Sequence, residues 1–161
     1  MLNLLGEHYC KVDAKGRMMF PARLRKQLEE VVHQGLVVSR DIFSKCLVLY
    51  PAPGWNKVID EMGHLSRYDE DHQLFLQKFM KGATQVELDE TGRMLIPSAL
   101  LQYAGIDLKK NNELVLTGML DKMKIWSTEN YNKHVLSDDD GIDIRDLAKK
   151  IGKDIERKAG S

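Results

Sequence analysis

The residues of this chain best suited to chemistry are two arginines, each at the end of a short polar motif that occurs twice. Asp13-Ala14-Lys15-Gly16-Arg17 returns 76 residues later as Asp89-Glu90-Thr91-Gly92-Arg93. Each copy continues into an apolar run that ends in proline, and five of the nine aligned positions are identical. A guanidinium can donate two parallel hydrogen bonds to a phosphate or to the edge of a guanine. Arg17 and Arg93 are therefore the first candidates for such contacts.

The motif also has a purely structural interpretation as a tight turn. An aspartate at the first position accepts N–H bonds from its own turn, and a glycine at the fourth suits a type I turn closed by a left-handed residue. Apolar residues on both sides predict two β-hairpins with bulges at Gly16 and Gly92. Asp13 and Asp89 would each hold the arginine of the same copy. A solvated hairpin explains one copy alone, but the duplication indicates a repeated supersecondary unit.

The positive charge of the chain is concentrated around the first copy. The 24 lysines and arginines balance 24 acids, so the formal net charge is zero. Between residues 11 and 26, however, six cations face one acid, whereas acids collect at 69–71 and 138–140. Such segregation creates a local electrostatic footprint, although cations on a helix are often only its solvated face. The six cations are Lys11, Lys15, Arg17, Arg23, Arg25 and Lys26.

The sequence contains no arrangement typical of an enzyme or a metal site. The five histidines lack metal-ligand spacing, and Cys10 and Cys46 are far apart in the chain. Glycine-rich phosphate loops and nucleophile motifs are missing. No apolar run is long enough to span a membrane, and two cysteines suggest reduced thiols in the cytoplasm. We therefore predict no enzymatic activity, cofactor, metal, small-molecule substrate or membrane partner.

The elements around each motif are predicted to follow the same order: a strand, the turn, a helix opened by proline and closed by glycine, and two short strands. In the first copy these are residues 7–12, 21–35, 36–39 and 46–50. In the second copy they are residues 86–88, 97–105, 114–117 and 123–126. The agreement predicts two similar units related by a pseudo-two-fold axis.

The remaining sequence differs from both copies. Two amphipathic helices are predicted in the middle of the chain, with methionine and aromatic stripes that should belong to the core rather than to a cofactor site. The tail is polar with a thin apolar stripe, which fits a docking helix or disorder. The predicted division is a first repeat at 1–52, a linking helical pair at 53–82, a second repeat at 83–136 and the tail at 137–161.

Taken together, these features resemble the MraZ family of AbrB-like, swapped-hairpin transcription regulators. The resemblance extends from about residue 6 to residue 131 and includes both motif copies. Further matching landmarks are Gly6-Glu7, Leu49-Tyr50-Pro51 with Trp55, Gly82-Ala83, Leu95-Ile96-Pro97, Tyr103-Ala104-Gly105 and Ile125-Trp126. Gly54 and Lys124 depart from the family pattern as surface variations. Leu101 stands where the family often has arginine, so the second helix lacks a cation.

The resemblance implies an α+β fold of tandem, pseudo-two-fold AbrB-like units (a double-psi or swapped-hairpin β-barrel) with peripheral helices. It implies a sequence-specific DNA-binding regulator, cytoplasmic and nucleoid-associated. The protein would act as a ring-shaped homo-oligomer on short repeats upstream of its own operon of division and cell-wall genes. Its partners would be double-stranded DNA and further copies of itself. A structural or interaction ring, or an antitoxin-like module that neutralises a partner through its tail, is the alternative.

The candidate site residues follow from this resemblance and from the charge pattern. The DNA-binding candidates are Arg17, Lys15, Arg93, Lys11, Arg23 and Arg25, and the motif-positioning candidates are Asp13, Gly16, Asp89 and Gly92. The second copy has Thr91 where the first has Lys15, and its helix has no equivalents of Arg23 and Arg25. We therefore expect Arg93 to contribute less to binding than Arg17.

Overall fold

Both motif copies and the helices between them lie in one compact unit, Met1–Thr128, and the C-terminal segment Glu129–Ser161 forms a second. The computed structural model describes residues 2–137 and 142–160. The acidic run at 138–140 therefore lies outside the described residues. Because the first unit contains both copies, neither copy is a compact body of its own. The four-part division of the chain stays a prediction.

The described residues form eight strands in two antiparallel sheets. The strands are β1 Glu7–Lys11, β2 Arg17–Met19, β3 Leu36–Arg40, β4 Leu47–Pro51, β5 Thr84–Val86, β6 Arg93–Leu95, β7 Glu113–Met119 and β8 Lys122–Ser127. Six of them form one sheet in the order β1-β7-β8-β4-β3-β5, and β2 pairs with β6 in a separate ribbon. The six-stranded sheet ends at β1 and β5, so these strands do not form the closed barrel implied by the resemblance.

The strands before and after each motif pair largely with the other copy. β1 of the first copy pairs with β7 of the second, and β5 of the second pairs with β3 of the first. The predicted hairpins are therefore only partly formed: the turns are present, but each is followed by one bridge, Val12↔Met18 or Leu88↔Met94. A three-residue strand cannot bury a core alone, and pairing β2 with β6 buries Met18 and Met94 completely.

Short helices follow the two motifs, each directly after a proline. α1 spans Ala22–Gln27 and ends earlier than the sequence predicts, followed by a 3₁₀ turn at Val32–Gln34. Two helices, α2 Ala52–Met62 and α3 Glu70–Met80, form the predicted helical pair, and α4 spans Ser98–Tyr103. In the core, the helices that follow the motifs pack against the sheets. Its large side chains include Phe20, Leu24, Leu28, Ile96, Leu100, Leu114 and Leu116.

The prediction that the apolar stripe of the second linking helix belongs to the core is wrong. None of the residues of α3, all of which the structure describes, is buried. Leu74, Phe75 and Met80 are 54%, 41% and 37% exposed. The helix instead begins at a polar cap, where the Asp69 carboxylate accepts the N–H groups of Asp71 and His72. Its formation therefore owes more to local capping and charge than to burial within this chain.

The C-terminal unit is helical. A short helix α5, Thr128–Tyr131, continues into a π-helical segment at Asn132–Leu136, and α6 spans Ile144–Ala159. The predicted apolar stripe of the tail lies on α6, where Ile144, Leu147, Ile151 and Ile155 are all exposed. Within the described residues, no helix is both long and apolar enough to cross a membrane.

Candidate nucleic-acid interface

The first motif forms a turn in which Asp13 organises its own copy. One carboxylate oxygen, Oδ1, accepts the backbone N–H groups of Lys15 and Arg17, both at 2.9 Å. The other oxygen, Oδ2, accepts Nε of the Arg17 side chain at 2.9 Å. Gly16 closes the turn in the left-handed region, with a φ of +85°. The backbone N–H of Arg17, above all, lowers the pKa of Asp13 and keeps the carboxylate ionised.

The second motif repeats this geometry atom for atom and adds a hydroxyl. Asp89 accepts the backbone N–H groups of Thr91 and Arg93 at 2.9 Å and Nε of Arg93 at 3.1 Å. The Thr91 hydroxyl donates to the same carboxylate at 2.7 Å and accepts Nε of Arg93 at 2.9 Å. The backbone N–H of Arg93 and then the Thr91 hydroxyl lower the pKa of Asp89 to about 2. The two arginines are therefore held in the same way.

The ribbon of β2 and β6 brings the two arginines together on one face. Its register pairs Arg17 with Leu95 and Met19 with Arg93, around the central pair of buried methionines. Because side chains alternate along a strand, these four residues share the face opposite to the core. Arg17 and Arg93 are diagonal neighbours, which places their Cα atoms about 7–8 Å apart. The sequence alone predicts two separate hairpins, with one arginine beside the tip of each.

The exposed face of the ribbon presents donors that the turns do not use. Each arginine side chain is 33% exposed and is bound to its aspartate through Nε. Within the part of the chain that the structure describes, Nη1 and Nη2 of Arg17 and Arg93 have no hydrogen-bond partner. Met19 and Leu95 lie beside them and are 48% and 57% exposed. The face thus combines the four terminal guanidinium nitrogens with two exposed apolar side chains. Sequence reasoning missed Met19 and Leu95, although alternation along a strand predicts their exposure.

The other predicted cations lie at different distances from this ribbon. Lys15 is exposed at the tip of the first turn. Lys11 lies in the edge strand β1, opposite Glu113 of β7, and not on the ribbon. Arg23 and Arg25 are exposed on α1. Arg25 reaches the second turn rather than the first, since a methyl group built on Gly92 would lie 2.4 Å from its Nη1. Arg25 therefore lies beside the second turn, although it follows the first motif in the sequence.

Comparison with known proteins places this chain in a family. Two successive segments, residues 4–78 and 79–141, match the family model described as "MraZ protein, putative antitoxin-like". A protein of Christiangramia forsetii named Transcriptional regulator MraZ is 38% identical over 151 residues, which are 94% of each chain. The protein of that name from Flavobacterium psychrophilum is 34% identical over 151 residues, 94% of this chain and 92% of its own.

A third relative with the same name, from Cytophaga hutchinsonii, is 35% identical over 133 residues, which are 83% of this chain and 85% of its own. The two matched segments each contain one Asp-x-x-Gly-Arg turn, in agreement with the duplication seen in the sequence and in the ribbon. Helix α6 lies beyond the residues that match the family model. The match of both segments and the similarity to these relatives over 83–94% of the chain show that the chain belongs to the MraZ family.

Proposed function

We propose that this chain is a transcriptional regulator that binds double-stranded DNA through the exposed face of the β2–β6 ribbon. The observation that carries the proposal is the pair of aspartate-bound arginines, Arg17 and Arg93, on one side of a two-stranded antiparallel ribbon. A ribbon of this kind fits into the major groove of B-DNA, where arginine is the commonest reader of guanine. The names of the relatives, transcriptional regulators, support the same function.

The turns account for how the arginines would act. Because Asp13 and Asp89 each hold Nε, the guanidinium planes are fixed before DNA arrives and lose little freedom on binding. The terminal nitrogens then donate to a guanine edge or to a phosphate, while the aspartates position the arginines and do not read bases. Lys15, at the tip of the first turn, supplies a point charge for a neighbouring phosphate.

The proposal includes a homo-oligomer, a ring in which many ribbons act together on short repeats upstream of the protein's own operon. Linking sites in one particle makes later contacts intramolecular and raises avidity by roughly 10²-fold or more. The exposed apolar side chains of α3, which this chain alone does not bury, support a contact between subunits. The exchange of strands between copies supports the AbrB-like, swapped-hairpin relationship. A cytoplasmic, nucleoid-associated location belongs to the same proposal.

The test removes one arginine and compares it with a matched surface arginine. Arg17→Ala is expected to abolish specific binding to the upstream DNA, since one bidentate contact gives about 1–3 kcal/mol, roughly 5–150-fold per site. Arg67→Ala, in the exposed loop between α2 and α3, is expected to bind like the wild type. Fluorescence anisotropy against specific and scrambled duplexes measures both, with light scattering to check the oligomer. Wild-type affinity in Arg17→Ala would contradict the proposal, and loss of its oligomer would favour a structural ring.

A second candidate function is an antitoxin-like module, and the family description names this property. The observation that favours it is α6, whose apolar stripe is exposed and lies beyond the residues that match the family model. Ile151→Asp together with Ile155→Asp would disrupt that stripe. DNA binding that survives this double substitution is expected if the ribbon is the DNA site, whereas a partner bound through the tail would be released.

A further inference from the structure

Helix α1 follows the first motif in sequence but presents its second cation to the other motif. A methyl group built on Gly92 would lie 2.4 Å from Nη1, 2.8 Å from Cζ and 3.2 Å from Nε of Arg25. Three atoms of the guanidinium therefore lie against the turn that holds Arg93. In the first turn, a methyl group built on the equivalent Gly16 would lie 3.5 Å from Cδ1 of Leu101, a residue of α4. Arg25 and Leu101 are themselves 76 residues apart, the offset of the two copies.

The exchange of helices between the turns changes how charge is distributed over the ribbon. The first turn has Lys15 and Arg17 but receives the apolar Leu101 from α4. The second turn has Thr91 in place of the lysine but receives Arg25 from α1. Lys15 and Arg17 thus lie at the first turn and Arg93 and Arg25 at the second, whereas the order of the sequence assigns Arg25 to the first copy.

The Arg25 guanidinium is available to a ligand. Arg25 is exposed, and its side chain has no ion pair or hydrogen bond within residues 2–137 and 142–160. Beside it lies an open groove of about 830 Å³ between α1 and the segment that leads into the second turn. The polar side chains lining this groove are Arg25, Lys26, Glu29, His33 and Glu87. Among the described residues neither acid forms an ion pair with Arg25, whose exposed side chain lies against Gly92, next to Arg93 in the chain.

We propose that Arg25 is a DNA-contacting residue of the second turn, where it supplies the phosphate contact that Lys15 supplies at the first. This inference rests on the proposed function of the ribbon. It gives the second turn a second cation, as Lys15 is at the first turn, but with different chemistry: arginine with lysine beside a leucine at the first turn, and two arginines at the second. Arg93 is therefore expected to contribute as much as Arg17, which replaces the expectation drawn from sequence alone.

A double-mutant cycle tests which turn Arg25 serves. Arg25→Ala is measured alone and combined with Arg93→Ala or with Arg17→Ala, by anisotropy at several low salt concentrations, where the residual electrostatic binding of the arginine variants to the duplex stays measurable. Residues that share one contact region are not additive, whereas separate sites add to within about twofold. We expect Arg25→Ala to weaken binding at least fivefold and to reduce the salt slope by about one per engaged turn. We expect it to couple with Arg93→Ala at least threefold and to add independently to Arg17→Ala.

Two further substitutions separate contact from packing. Arg25→Leu copies the apolar contact that Leu101 makes at the first turn and is expected to lose binding with an unchanged melting temperature. Arg25→Lys keeps the charge and is expected to retain most of the affinity. Coupling to Arg17→Ala instead of Arg93→Ala, or full affinity in Arg25→Leu, would overturn the inference. If Arg17→Ala still abolishes specific binding, those results leave the ribbon proposal intact. The ribbon proposal itself would be refuted by a wild-type protein that shows no salt-dependent specific binding.

Discussion

Replacing Gly16 by alanine tests the turn that positions Arg17. The residue has a φ of +85°, its N–H donates to the Asp13 carbonyl at 3.0 Å, and its own carbonyl accepts Ile96 N–H at 2.9 Å. An alanine there meets the left-handed penalty of about 1–2 kcal/mol. The new methyl group would also lie 3.2 Å from the Ile96 carbonyl oxygen, which the ribbon holds in place. Alanine makes the unfolded chain less flexible and offsets roughly 0.4–1 kcal/mol.

Together these effects predict a loss of about 1–2 kcal/mol in the free energy of unfolding, since the contact with Ile96 counteracts the entropic gain. For a chain of this size that lowers the melting temperature by about 2–8 °C. Gly92→Ala has a similar φ, +83°, but its methyl group meets the movable guanidinium of Arg25, so it should cost less.

The control for this experiment is Gly152→Ala in helix α6, where a built methyl group has no neighbour within 4 Å. Alanine is about 1 kcal/mol better than glycine inside a helix, so this variant should lose no stability. Thermal and urea unfolding of the three variants gives the comparison. A Gly16→Ala protein that melts with the wild type would show that the backbone of this turn is not constrained as described.

Three other outcomes are expected. Asp69→Ala should destabilise α3 by about 1 kcal/mol because it removes the carboxylate that caps the N–H groups of Asp71 and His72. Amide hydrogen exchange in α3 should become faster, and unchanged exchange would contradict this prediction. Burial raises the pKa of Cys46 to about 12, so it should react with a thiol reagent at pH 8 only after denaturation, and prompt labelling would exclude this burial. Asp89 has a depressed pKa of about 2, so its stabilisation is complete above the ordinary value of 3.8 and is lost as pH falls through about 2. The stability difference between the wild type and Asp89→Asn should therefore vanish near pH 2, and a constant difference would refute the role of the carboxylate.

The sequence by itself determined the two turns and the residues in them. Each turn is built from interactions within five residues: an aspartate that accepts two backbone N–H groups and one Nε, and a glycine at positive φ. Such contacts need no partner from elsewhere in the chain, so their residue types are enough to predict them. The prolines before α1 and α4 and the polar start of α3 were predictable for the same reason, because capping and helix initiation are local.

Only the tertiary structure decided which elements pair and which cations share a turn. Alternation along a strand predicts two faces but not the neighbouring strand, and the two copies have nearly the same pattern, so pairing within or between copies looks alike in sequence. Burial distinguishes the observed pairing: with β2 against β6, Met18 and Met94 are both completely buried. That choice places Arg17 and Arg93 on one face and carries α1, with Arg25, over the opposite turn. The candidate site thus consists of locally determined turns whose combination depends on a long-range exchange of strands, for which no short stretch of sequence contains the information.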